Sequence, residues 1–125
     1  MNSLIVMLGG ACGALARYHL GRLAMNLAGP GFPWGTLAAN LIGGFAMGLL
    51  AGWLARFSAQ GSEQMRLLLG VGVLGGFTTF SAFSLETVLM IQRGQHGLAA
   101  LYVIGSVAGA VLALMFGLIV VRSVA

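Results

Sequence analysis

The sequence predicts an all-α integral membrane protein with four transmembrane helices in a single domain, residues 1–125, and three observations lead there. Hydrophobic residues make up 59% of the chain and charged residues 6%, against roughly 25% charged in a soluble domain. The apolar residues fall in four blocks, each near the ~20 residues that a bilayer core requires, rather than in amphipathic stripes. Glycine occurs 21 times, and several copies stand at the small-xxx-small spacing of closely packed membrane helices: Gly9 with Gly13; Gly44, Gly48 and Gly52; Gly72 with Gly76; Gly105 with Gly109.

The first span covers about 4–27. Its opening stretch has the length of a signal-peptide core and Ala14-Leu15-Ala16 resembles a cleavage site, but no basic residue precedes it, so it reads as the first half of a spanning helix. Cys12 is the single cysteine, which excludes an intrachain disulfide, and its apolar neighbours suggest a small buried hydrophobe. Arg17 lies inside the span, where insertion costs roughly 2.5–3.5 kcal/mol. It must face water, a partner or the interface: either an aqueous vestibule that concentrates anions, or snorkelling beside Arg22.

Both prolines fall in the short connection 28–33. The second span, about 35–53, is bracketed by Trp34 and Trp53, whose separation corresponds to ~29 Å of helix and matches the hydrocarbon thickness. Asn40 within it carries an amide that is costly unless bonded, so it serves either as a link between helices or as a donor to an anion. The connection 56–64 is the most polar stretch.

The third span, about 65–91, has residue 78 at its midpoint, inside Gly75-Gly76-Phe77-Thr78-Thr79-Phe80-Ser81-Ala82-Phe83-Ser84. Glycines and hydroxyls there predict a helix broken near the midplane, with carbonyls freed at Gly75 and Thr78 to hold a cation. The alternative is an unbroken helix whose hydroxyls bond back to the preceding turn. Phe80 and Phe83 share one helical face, and ring edges are electropositive, so the pair suits a small desolvated anion beside the hydroxyls of Thr79, Ser81 and Ser84. Glu86 continues that face and either pairs with an arginine or lines an entrance.

A polar turn at 92–96 leads to the fourth span, about 97–121, where Tyr102 and Ser106 lie on one face and either extend a polar track or bond between helices. With four spans, the arginines divide three against two between the membrane sides, too even for the positive-inside rule to choose an orientation. A chain that inserts both ways can pair with its inverted copy, giving an antiparallel dual-topology homodimer surrounded by lipid.

Other functions find no support in these residues. The six arginines stand singly, which offers nucleic acid no patch. His19 and His96 have no ligand-like companions, and no catalytic triad, metal cluster or phosphate loop appears, so an enzyme is not expected.

The third-span stretch, together with Gly35-Thr36-Leu37-Ala38-Ala39-Asn40 and Gly13-Ala14-Leu15-Ala16-Arg17-Tyr18, closely resembles the small bacterial CrcB-type (Fluc) fluoride channels, and the resemblance covers the whole chain. It implies a multi-pass protein of the bacterial inner membrane, a dual-topology homodimer with two antiparallel pathways that export fluoride passively. By that resemblance Phe80 and Phe83 form the ring-edge pair, Asn40 is an amide donor, Arg17 is the first-helix arginine, and the carbonyls of Gly75 and Thr78 hold a structural sodium ion at the dimer centre. The family's last-helix track has further hydroxyls where this chain continues into Ala110 and Leu114.

Two other classes compete. A small proton-coupled multidrug transporter would need a titratable acid at its centre, and Glu86, the only acid within a span, stands ~12 Å from the third-span midpoint. A non-transporting membrane assembly factor would explain the glycines but not the central polar segment.

Overall fold

The computed structural model describes residues 1–56 and 62–124, and the described residues are helical apart from short connections. The elements are α1 (Asn2–Ala28), α2 (Trp34–Arg56), α3 (Ser62–Met65), a π-helical segment (Arg66–Leu74), α4 (Gly75–Phe77), α5 (Ser81–Gln92) and α6 (His96–Val124). Four stretches are long and apolar enough to cross a membrane: Asn2–Ala28, Trp34–Arg56, Glu63–Gln92 and His96–Val124. These overrun the expected spans slightly, because helices continue past the hydrocarbon core. Arg56 and Arg122 sit in the last turns of α2 and α6, where a cation complements the helix dipole. Of the polar connection 56–64, residues 57–61 lie outside the described residues.

The turns between helices follow local chemistry. Gly29 ends α1 with φ 79°, and its N–H donates to the Met25 carbonyl; Gly94, with φ 80°, makes the turn after α5. Both occupy the left-handed region that only glycine enters at no steric cost.

Packing is most extensive between α2 and α6, then between α1 and the π-helical segment. Glycine permits both seams. A Cβ on Gly44 would lie 2.8 Å from the Ala110 carbonyl oxygen, and one on Gly48 would collide with that of Leu114. On the other seam, a Cβ on Gly9 would lie 2.6 Å from the Leu68 oxygen, and one on Gly76 2.5 Å from the Gly10 oxygen. Such backbone approach is how helices associate where lipid removes the hydrophobic drive. The fourth expected pair departs from the pattern: Gly109 packs on Leu41, but Gly105 faces open space.

Few side chains are buried within the chain. Phe83, Met90, Ala99 and Tyr102 form a small core, with Phe32, Leu37, Leu98 and Val103 against it. Trp34 and Trp53, at the two ends of α2, remain 47% and 42% exposed. Cys12 is exposed as well, contrary to the burial its neighbours suggested, because α1 turns Gly9 and Gly13 inward and leaves the flanking residues outside.

Candidate functional site

Helical structure stops at Phe77 and resumes at Ser81, so the irregular backbone is confined to Thr78, Thr79 and Phe80, narrower than the stretch from Gly75 to Ser84 that the composition suggested. Thr78 has φ −83° and ψ 158°, an extended conformation that terminates α4. Three residues before it, the Gly75 N–H reaches the carbonyls of both Gly70 and Gly72, so the π-helical segment ends one short α-helical stretch, Gly75–Phe77, ahead of the interruption.

Asn40 holds the interruption from the neighbouring helix. Its Oδ1 accepts the Thr79 N–H at 3.0 Å and its Nδ2 donates to the Thr79 carbonyl at 3.2 Å, so one amide satisfies both backbone groups of a residue outside the helices. The approach depends on Gly43, since a Cβ there would occupy the place of the Thr78 methyl group. Helix periodicity sets Thr36, Asn40 and Gly43 on one face of α2.

Hydroxyls complete the local bonding. Thr78 Oγ1 donates to the Leu74 carbonyl at 3.0 Å, and Thr79 Oγ1 accepts the Ala82 N–H of the first turn of α5 at 3.2 Å. Ser84 Oγ donates to the Phe80 carbonyl at 2.9 Å. The hydroxyls of Thr78 and Ser84 thus bond back along the chain on either side of the irregular residues 78–80. Two helical acceptors lose their donors at the interruption. The Thr79 N–H, which would bond Gly75 in a continuous helix, goes to Asn40; the Ala82 N–H, which would bond Thr78, goes to Thr79.

A cavity of about 420 Å³ adjoins this segment, lined among others by Asn40, Gly75, Thr78, Thr79, Phe80, Phe83 and Ser106. The rings of Phe80 and Phe83 lie with centroids 5.6 Å apart and planes at 43°. Phe83 is buried, whereas Phe80, just ahead of α5, is 77% exposed. Ser106 is only 5% exposed, and its Oγ has no hydrogen-bond partner among the described residues. A buried hydroxyl beside a cavity, with an unused proton, is available to a ligand.

The other residues singled out lie elsewhere. Ser81 is exposed and Ser84 half-buried, and neither lines the cavity. Tyr102 is 1% exposed and its hydroxyl donates to Glu86 Oε1 at 3.0 Å, while Thr36 Oγ1 donates to Oε2 at 3.0 Å. Glu86 is thus engaged by two hydroxyls rather than by an arginine, and Tyr102 bonds between helices instead of continuing from Ser106. Arg17 Nε donates to the Gly76 carbonyl at 3.5 Å, just before the interruption, and lines a separate cavity with Arg22. Among the described residues no group of His, Cys, Asp or Glu suits a metal ion.

Thr36 was missed as a partner of Glu86, although its spacing from Asn40 was a usable signal. A chain of rings was also not foreseen: Phe83 meets Tyr102 at 5.1 Å, Tyr102 meets Phe32 at 5.3 Å and Phe32 meets Trp34 at 4.7 Å. Phe32 lies in a connection, where helical spacing gives no clue.

Residues 4–118 match the family described as CrcB-like protein, Camphor Resistance (CrcB). The chain is 61% identical over 122 residues to a protein of Novosphingobium aromaticivorans named fluoride-specific ion channel FluC, covering 96% of this chain and 95% of that one. It is 60% identical over 121 residues to a protein of the same name from Phenylobacterium zucineum, covering 97% and 95%. A third, from Caulobacter vibrioides, is 55% identical over 125 residues, covering 99% and 98%.

Proposed function

This chain belongs to the CrcB-like protein family, and from that membership and the site above we infer that it is a fluoride-selective channel of the inner membrane, not an enzyme. The observation that carries the reading is the interrupted third span beside the Asn40, Phe80, Phe83 and Ser106 cavity.

Fluoride is small and strongly hydrated, so a pathway must replace its water with donors while avoiding a charge that would trap it. Neutral groups meet that need: the Ser106 hydroxyl, the amide donor of Asn40 not given to Thr79, the hydroxyl of Thr79, and the positive rims of two rings. Glu86 would lie toward an entrance, and Arg17, bonded to the Gly76 carbonyl beside the interruption, would raise local anion concentration. Tyr102 holds Glu86 and packs on Phe83, which fixes the ring against which the anion passes. Transport would be passive, and fluoride export would follow from the ion's own gradient.

The chain would act as an antiparallel dual-topology homodimer, with the interrupted segment at the membrane midplane. The exposure of Phe80 and of the adjoining cavity in a single chain supports this, because a partner would cover them. A structural sodium ion fits the donor set: the carbonyls of Gly75 and Thr78 have lost their helical donors, and hard oxygen ligands suit a hard cation. When bound, the ion would neutralise those dipoles and tie the two interrupted segments together.

In proteoliposomes under a potassium–valinomycin potential, fast fluoride efflux with chloride almost excluded is expected; equal chloride flux would overturn the assignment. No observation favours the multidrug-transporter reading: Glu86 does not line the cavity beside the interruption and is held by Thr36 and Tyr102.

A further inference from the structure

A second cavity, of about 400 Å³, opens between α1 and α2 and includes Arg17, Tyr18, Gly21, Arg22, Asn26 and Thr36 in its lining. It lies beside a close approach of the two helices: a Cβ on Gly35 would lie 2.9 Å from the Gly21 Cα, so glycine is needed at this contact. Arg22 lies 6.0 Å from the centre of the Tyr18 ring, a contact that holds the guanidinium against the wall without neutralising it. Arg17 meets a carbonyl, not a carboxylate. The ion pair found among the described residues is Glu63–Arg66, in another part of the chain, and the carboxylate behind Thr36, Glu86, is engaged by two hydroxyls. Two guanidinium groups therefore share one cavity with no countercharge in its lining.

We propose that the Arg22 end of this cavity binds the phosphodiester of an anionic phospholipid headgroup. A guanidinium presents a planar fork that matches two phosphate oxygens, and the Asn26 amide supplies a further donor. Depth selects a lipid over a dissolved anion. Arg22 stands about 9 Å along the axis from the end of α1. Gly35 lines the cavity next to exposed Trp34, a residue that marks the headgroup level. The flanking surface of α1 is apolar and exposed at Leu23, Met25 and Leu27, which gives acyl chains a wall to lie along. A basic pocket between membrane helices with such walls is a headgroup site in its physical make-up.

Native mass spectrometry of the purified full chain, titrated with phosphatidylglycerol or phosphatidylcholine, tests this. Wild type should retain phosphatidylglycerol at a concentration roughly tenfold lower than phosphatidylcholine, the scale of one charge-assisted bidentate contact. Arg22→Gln should abolish that preference, and Asn26→Leu should reduce it. Equal retention of the two lipids by wild type, or an unchanged preference in Arg22→Gln, would overturn the proposal. Millimolar inorganic phosphate should leave the bound lipid in place; displacement would assign the cavity to a free anion instead. Fluoride efflux from Arg22→Gln proteoliposomes should equal that of wild type. Slower efflux from Arg22→Gln with lipid retention intact would make the Arg22 end part of the ion path and defeat the lipid site.

Discussion

Asn40 is the residue on which the candidate site turns, because its one amide substitutes for a lost turn of helix. Removing it leaves the N–H and the carbonyl of Thr79 without their partner, and each unmade bond in a buried setting costs about 1–3 kcal/mol. Asn40→Ala should therefore lower the melting temperature in detergent and reduce fluoride flux at least tenfold; wild-type values of both would show that the interruption holds itself. The rings can be tested separately. Phe80→Ile and Phe83→Ile keep apolar volume but remove the positive rim, so each should cut fluoride efflux at least tenfold while leaving the protein monodisperse. Burial distinguishes the two: Phe83 packs on Tyr102, so its replacement should also cost stability, whereas exposed Phe80 should not. Asn40, Phe80 and Phe83 line one cavity, and they stood out in the sequence because an amide and paired rings are unusual inside an apolar span. The Glu86 arrangement did not, since Thr36 and Tyr102 reach it from helices far apart in sequence.

At the scale of elements, glycine decides which helices touch. α2 lies against α6 through Gly44 and Gly48, where a side chain would strike backbone that cannot move aside. Gly48→Val should destroy the monodisperse peak in fluorescence-detected size exclusion, while Gly105→Ala, which enters open space, should leave it intact. An equal response to the two would mean that this packing does not govern stability. Spacing alone marked both positions identically, because a small-xxx-small pattern gives the face of a helix and not the identity of its neighbour. The interruption shows the same limit. Its location near residue 78 followed from two glycines and four hydroxyls, but its confinement to Thr78, Thr79 and Phe80 depends on which donors Asn40 and Thr79 intercept.

For the whole molecule, the even distribution of arginines and the open cavity beside Phe80 lead to one expectation. Reporters fused to the C-terminus should show both orientations in the membrane at comparable levels, and a single orientation would rule out an antiparallel pair. Replacing sodium with a large organic cation throughout purification should reduce fluoride flux severalfold if the Gly75 and Thr78 carbonyls hold a structural ion; unchanged flux would remove the ion from the account.

By itself the sequence determined the solvent, the helices and the segment where they fail. Hydropathy, glycine content and polar residues at membrane depth are local quantities that the chain carries in its order. Tertiary structure alone decided the partners: that Asn40 bonds Thr79, that Glu86 receives two hydroxyls, that Ser106 keeps an unused proton, and that Arg17 and Arg22 share a cavity. Hydrogen bonds between spans depend on the rotation and separation of helices, which are set by how closely their glycine faces approach.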